Sequence, residues 1–192
     1  HLMNSHAAAP VSAWVARFAP LALAGEVLDL ACGSGRHARH FAALGHPVLA
    51  VDRDRAALAG AAGQGIATLA FDLEDPALAW PFEAGRFAAI VVTNYLHRPL
   101  FAHLAASLRP DGLLIYETFA LGNEAFGKPS NPAFLLAHGE LLALAAANGL
   151  RTIAYEDGLV ARPKPAMVQR LCAAKDGFGW AGARLDGRGA LV

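Results

Sequence analysis

The chain has 192 residues and a mass of 20.0 kDa, which fits one domain at roughly 100–200 residues per domain. Hydrophobic residues make up 55% and charged residues 17%, enough apolar material to exclude wholesale disorder. The 16 basic and 16 acidic residues cancel, so no field of one sign gathers nucleic acid or a membrane surface, and a nucleic-acid partner would need a local basic patch that the totals hide.

Cys32 and Cys172 are too few for a disulfide framework and fit a reducing cytoplasm. No run of about 18 apolar residues suggests a membrane span. His1-Leu2 ahead of Met3 reads as a tag remnant. Residues 1–9 are therefore expected to be a remnant with a disordered start, and 10–175 a single domain. Residues 176–192 form a Gly-rich tail in which Phe178 and Trp180 are candidate docking points.

In chain order, Val27 to Ala31 reads as a buried strand, and Gly35 to Leu44 as a helix closed by Gly45. Val48 to Val51 is a second strand. Asp54 can cap a helix running to about Ala62. Ile66 to Phe71 and Phe87 to Thr93 are the third and fourth strands. Pro99 to Leu108 is helical, with Leu100, Leu104 and Leu108 on one face. Pro110-Asp111-Gly112 is a turn and Leu113 to Phe119 the fifth strand. Glu140 to Ala147 is a helix ended by Asn148-Gly149. Thr152 to Tyr155 and Met167 to Ala173 are late strands separated by a short Pro163/Pro165 turn, which predicts an antiparallel hairpin. The alternation predicts an α/β, three-layer, Rossmann-like sandwich with a seven-stranded, mostly parallel sheet.

In such sheets ligands bind beyond the carboxyl ends of the strands, so chemistry is sought there. After the first strand comes Asp29-Leu30-Ala31-Cys32-Gly33-Ser34-Gly35. Its glycines permit a tight turn and close approach of a ligand, and the following helix aims its free N–H groups at it. Gly33-x-Gly35-x-x-Ala38 also fits the dinucleotide fingerprint. Asp29 discriminates between the two, because a carboxylate there repels a pyrophosphate but holds an ammonium group. Asp52, 19 residues past Gly33, can accept both hydroxyls of an adenosine ribose. Asp72 follows the third strand and can accept from an adenine amino group, while Glu74 and Asp75 read as solvated or capping. Asn94, Tyr95, His97 and Arg98 crowd the end of the fourth strand. Glu117, beside Tyr116 at the end of the fifth, needs either a salt bridge to Arg98 or His97, or a substrate. His37 and His40 lie three apart on a helix without a third ligand in view, and no metal site is assigned.

With these segments in place, the chain resembles the class I methyltransferases that use S-adenosylmethionine, from about Trp14 to Lys175. The resemblance points in particular to the small bacterial branch that includes tellurite-resistance and ubiquinone-type enzymes. Val27-Leu28-Asp29-Leu30-Ala31-Cys32-Gly33-Ser34-Gly35 is very similar to the family's first motif. The resemblance implies that Asp29, Ala31 and the Gly33–Gly35 loop hold the methionine part. It likewise implies that Asp52, with Arg53 beside it, holds the ribose, and that Asp72 with the Leu73 backbone holds the adenine. Asn94 would lie by the sulfonium through its backbone. The chain departs from the family in having Ala88 after Phe87, where many relatives have an acidic residue. The Asn-Pro-Pro-aromatic motif of base N-methyltransferases and the Pro-Cys pair of cytosine C5 enzymes are both missing, and Cys32 reads as a packing residue.

For methyl transfer, positioning and water exclusion matter most. His97, then Glu117, are the candidate bases. Tyr95 would flank the methyl group, and Tyr95, His97, Arg98, Tyr116 and Glu117 are the candidate substrate contacts. The segment Gly122 to Pro132 is a candidate lid, with the helix around Trp14 to Phe18 closing the other side. A small-molecule acceptor is expected. An RNA-directed methyltransferase, an NAD-type dinucleotide oxidoreductase and a non-catalytic cofactor-binding protein are the alternatives.

Overall fold

A computed structural model describes residues 9–187. Of the expected remnant and disordered start, only Ala9 is among them, and the end of the tail, with Gly189, also lies outside the described residues. Five helices, α1 (Ala13–Phe18), α2 (Arg36–Ala43), α3 (Arg55–Ala61), α4 (Phe101–Ser107) and α5 (Glu140–Ala147), accompany seven strands. The strands are β1 (Val27–Leu30), β2 (Val48–Asp52), β3 (Ile66–Ala70), β4 (Phe87–Thr93), β5 (Leu108–Phe119), β6 (Arg151–Val160) and β7 (Ala166–Ala174).

The strands form one sheet in the order β3-β2-β1-β4-β5-β7-β6. The first five are parallel, while β7 runs antiparallel to both β5 and β6. Asp29 and Thr93 apart, the central strands β1 and β4 are apolar because both their faces are covered: β1 is buried at every position, and β4 at every position but its last. Alternate residues feed two separate cores. Leu28, Leu30, Ile90, Val92 and Leu114 pack with Phe101 and Leu104 of α4 and Leu141 of α5. Val27, Ala50, Val91 and Ile115 pack with Trp14, Val15 and Phe18 of α1 and Phe41 of α2. Strand order reverses beside β1, which opens the crevice between β1 and β4 at the carboxyl edge.

Three sequence expectations change in detail. The Pro110-Asp111-Gly112 turn lies within β5, which starts at Leu108. Its pairing with β4 jumps from Phe87↔Leu108 to Ala89↔Leu113. The residues looped out between find partners outside the ladder: Arg109 Nε donates to Asp111 Oδ1 at 2.9 Å, and Gly177 N donates to the Pro110 carbonyl at 2.8 Å. The last two strands are longer than expected, because pairing of Glu156, Asp157 and Gly158 with Arg170, Gln169 and Val168 holds a segment of poor strand propensity extended. The helix expected over Pro99 to Leu108 opens as a 3₁₀ turn at Arg98–Leu100 and gives up Leu108 to β5. In the tail, Phe178 is buried in the α1 core, whereas Trp180 is 77% exposed. The Leu185 carbonyl accepts from Arg17 Nε and Nη2 at 3.0 and 2.7 Å.

Candidate active site

The carboxyl ends of β1 to β5 lie along one edge, as expected, and two non-glycine residues there adopt left-handed backbone: Ala31 (φ 53°) after β1 and Asn94 (φ 55°) after β4. Such conformations cost about 1–3 kcal/mol and persist where surrounding structure over-determines them, commonly at ligand sites. Cys32 N donates to the Val51 carbonyl at 3.0 Å, and Asn94 N to the Glu117 carbonyl at 2.9 Å. Each strained residue is thereby fixed by the neighbouring strand.

Asp29 sits on the α2 side of β1 and is buried, its Oδ2 without a hydrogen-bond partner. Desolvation lifts its carboxyl from 3.8 to about 7, against the Ala38 backbone N–H and the Arg36 charge, which pull it down. Asp52 Oδ2 accepts from Gly33 N at 2.8 Å and Oδ1 from Asp54 N at 2.9 Å. The acidic residue ending β2 therefore braces the turn that ends β1. Asp54 caps α3, accepting from Ala56 N and Ala57 N at 2.9 and 3.1 Å. Gly35 (φ 85°) brings this turn so close to α3 that a Cβ there would lie 2.6 Å from the Ala61 Cβ. At Gly33 (φ 55°) the space above the backbone is open.

Two cavities flank this edge. A cleft of 140 Å³ is lined by Ala31, Asp52, Arg53, Phe71, Asp72, Leu73, Glu74 and Tyr95. A second, of 350 Å³, has Asn94 and Glu117 in its wall, with Pro10 to Ala13, Arg36, Phe119, Arg170 and residues of the β6–β7 turn. Adjacent residues at the end of β4 thus divide between them, Tyr95 to the first and Asn94 to the second. The Tyr95 hydroxyl is pushed above its ordinary range by desolvation and by Glu74.

The candidate residues separate accordingly. Ala31, Asp52, Arg53, Asp72, Leu73 and Tyr95 meet in the smaller cleft, Asn94 and Glu117 in the larger. Arg98, His97 and Tyr116 line neither. Arg98 is committed to Glu140 Oε1 (2.9 Å) and the Ala133 and Leu135 carbonyls (3.0 Å each). His97 Nδ1 lies 3.4 Å from Glu74 Oε1. Tyr116 is buried and donates to the Tyr95 carbonyl at 2.7 Å. The ion pair expected from Glu117 to Arg98 or His97 goes instead to Arg170, directly opposite on β7. Arg170 reaches on to Glu156 Oε1 at 3.3 Å.

Closure also differs from expectation. No residue of the segment Gly122 to Pro132 lines the larger cavity. Asn123 pins that segment to β7, its Oδ1 accepting from Met167 N at 3.1 Å and its Nδ2 donating to the Pro129 carbonyl at 3.0 Å. The cover comes from the residues just before α1. Ser12 Oγ caps that helix and donates to Glu117 Oε1 at 2.8 Å, and Ser12 N donates to His37 Nε2 at 3.1 Å. His37 is buried, and desolvation holds its imidazole down at about 3. It is therefore neutral, and with Nε2 accepting, Nδ1 carries the proton toward Thr93 Oγ1, 3.3 Å away. Ser12, His37, Thr93 and Arg170 were not legible as site residues, because their partners lie 25 to 105 residues away in sequence. Only the polarity of His37, on the face of α2 that also buries Ala38 and Phe41, signalled anything.

Residues 3–160 match a family described as a methyltransferase domain. The chain belongs to that family. The turn fits S-adenosylmethionine: it offers an unpartnered buried carboxylate oxygen and an open glycine backbone at one strand end. An S-adenosylmethionine-dependent methyltransferase from Mesorhizobium loti shares the fold at a TM-score of 0.64 and 18% identity, over 78% of this chain and 90% of that one. The 1,6-didemethyltoxoflavin-N1-methyltransferase of Burkholderia thailandensis, solved with its acceptor and S-adenosylhomocysteine, gives 0.58 and 25%, over 78% and 70%. TehB from Haemophilus influenzae gives 0.63 and 18%, over 79% of this chain and 57% of that one. No curated protein matches the chain.

Proposed function

We propose that this methyltransferase acts on a small-molecule acceptor held in the 350 Å³ cavity. The observation that carries the reading is the division of the strand-end edge into two cavities by Asn94 and Tyr95. A bipartite site of that kind suits a cofactor and a separate acceptor meeting at the end of β4. The Burkholderia relative, with its small acceptor, supports the same class here. The net charge of zero favours it over RNA. Two free cysteines agree with a reducing cytoplasm.

Bound S-adenosylmethionine supplies a methyl group already activated on a sulfonium, transferred by in-line displacement. The protein's part is then to bind, orient and exclude water. In this reading Asp52 takes the ribose hydroxyls with the lone pairs left by Gly33 and Asp54. Asp72, the Leu73 backbone and Arg53 border the adenine. Asp29 and the Ala31–Gly35 turn hold the methionine end, and Asn94 stands where the two cavities meet. Glu117 is the carboxylate in the acceptor cavity able to take a proton. Both its oxygens are already engaged, by Ser12 and Arg170, which fixes its position. His97, Arg98 and Tyr116 support the surrounding loops from outside the cavities.

Calorimetric titration with S-adenosylhomocysteine, alongside NADH, tests the assignment. The first is expected to bind in the micromolar range and the second not at all. Binding of NADH alone would overturn the assignment of Asp29.

A further inference from the structure

The lining of the acceptor cavity is mixed. Phe119 at the end of β5 and Val160 and Val168 of the hairpin are apolar members of it. Arg162 and Lys164, exposed on the turn between β6 and β7, line it as well. Glu117 is the acidic residue in the lining, and it is already neutralised by Arg170. Among the described residues, Arg162 and Lys164 have no ion-pair partner. Arg36, also in the lining and also without an ion pair, gives its Nη1 to the Pro10 carbonyl at 2.9 Å, whereas Arg162 and Lys164 stand together on the turn where the antiparallel hairpin meets the carboxyl edge.

Their position separates them from the carboxylates assigned to the cofactor, which end β1, β2 and β3. β7 lies three strands from β1 in the sheet, about 14 Å at roughly 4.8 Å per strand. A group held by Arg162 and Lys164 therefore belongs to the second ligand. Guanidinium and ammonium groups together on one exposed turn favour an anion, because hydrogen bonds from charged donors to anionic acceptors are the stronger kind.

We propose that the acceptor is a small anionic molecule whose carboxylate or phosphate group is met by Arg162 and Lys164, and whose apolar body packs on Phe119, Val160 and Val168. The assignment rests on the methyl-transfer reading above and adds the class of its substrate. The β6–β7 hairpin then sets specificity, while the first three strand ends serve the cofactor.

The test is calorimetric, on protein saturated with S-adenosylhomocysteine. 3-Phenylpropionate and phenyl phosphate are titrated as anions, and 3-phenylpropanol as their neutral counterpart. At least one anion is expected to bind about tenfold or more tightly than the alcohol, and which of the two does so identifies the anionic group. In the Arg162→Gln/Lys164→Gln variant that preference should vanish, while affinity for S-adenosylhomocysteine stays within about twofold and the circular dichroism spectrum is unchanged. Equal binding of alcohol and anions, failure of every compound to bind, or a preference that survives the double substitution would overturn the proposal. A parallel loss of S-adenosylhomocysteine affinity in the variant would also overturn it, by giving the two cations to the cofactor. If wild-type protein does not bind S-adenosylhomocysteine at all, the cofactor-site reading has failed first, and the acceptor class falls with it.

Discussion

Asp29 is kept at a cost to the fold. Its carboxyl is lifted to about 7 by burial and one oxygen lacks a partner, so ionising it in the fold is unfavourable. The sign of the linkage follows. The unfolded chain releases the proton near 3.8, while the folded chain retains it until about 7. This group therefore destabilises the fold increasingly as pH rises between those values, and fully above them. Asp29→Asn is expected to raise the melting temperature, more at pH 8 than at pH 5, and at the same time to weaken S-adenosylhomocysteine binding. A scan showing equal gains at both pH values would mean that Asp29 is ionised throughout. Asp52, by contrast, already accepts two backbone N–H groups. Asp52→Ala should lose both braces and the ribose contact, about 2–3 kcal/mol, or roughly 30- to 150-fold in affinity. Titration that returned the wild-type affinity would place the ribose elsewhere. Both residues were legible in the sequence, because strand-end carboxylates at this spacing from glycines have few other uses. The left-handed backbone at Ala31 and Asn94 was not, since neither residue type advertises it.

Between elements, the interaction that sequence reasoning could not assign is the ladder Glu117–Arg170–Glu156 across β5, β7 and β6. Glu117 was recognisable as a buried carboxylate in need of a partner. Which cation supplies it depends on β7 inserting between β5 and β6, and chain order does not state that. Arg98, nearer in sequence, is drawn away by Glu140 at the start of α5 and by two carbonyls. The cover over the cavity is likewise an agreement between elements. Ser12 caps α1, and its hydroxyl also donates to Glu117. Ser12→Ala should therefore cost more than a bare cap, about 1–2 kcal/mol by urea unfolding. An unchanged midpoint would show that the segment before α1 does not hold the sheet edge in solution.

Across the whole molecule, the sheet divides the interior into two cores that share no helix. Phe18 belongs to one and Leu104 to the other, and both are essentially fully buried. Phe18→Ala should cost about 3–5 kcal/mol and Leu104→Ala about 2–5 kcal/mol. With the sheet between them, the double variant should add to within about 0.5 kcal/mol. A coupling well beyond that, measured by urea denaturation of all three variants, would mean that the sheet transmits strain between its faces. What the sequence by itself determined is local and periodic. Apolar runs marked the strands, Asp54 marked a helix start, β4 and α5 were legible to the residue, and the glycine turn with Asp29 and Asp52 marked the carboxyl ends of β1 and β2. These features arise from backbone propensity and side-chain spacing, which a linear chain carries. The tertiary structure decided which distant residues meet: Arg170 with Glu117, His37 with Ser12, and Arg162 and Lys164 with the cavity lined by Phe119 and Val168 of β5 and β7. Those contacts follow from strand order and from where the antiparallel hairpin folds back, and burial of two continuous apolar faces selects that arrangement.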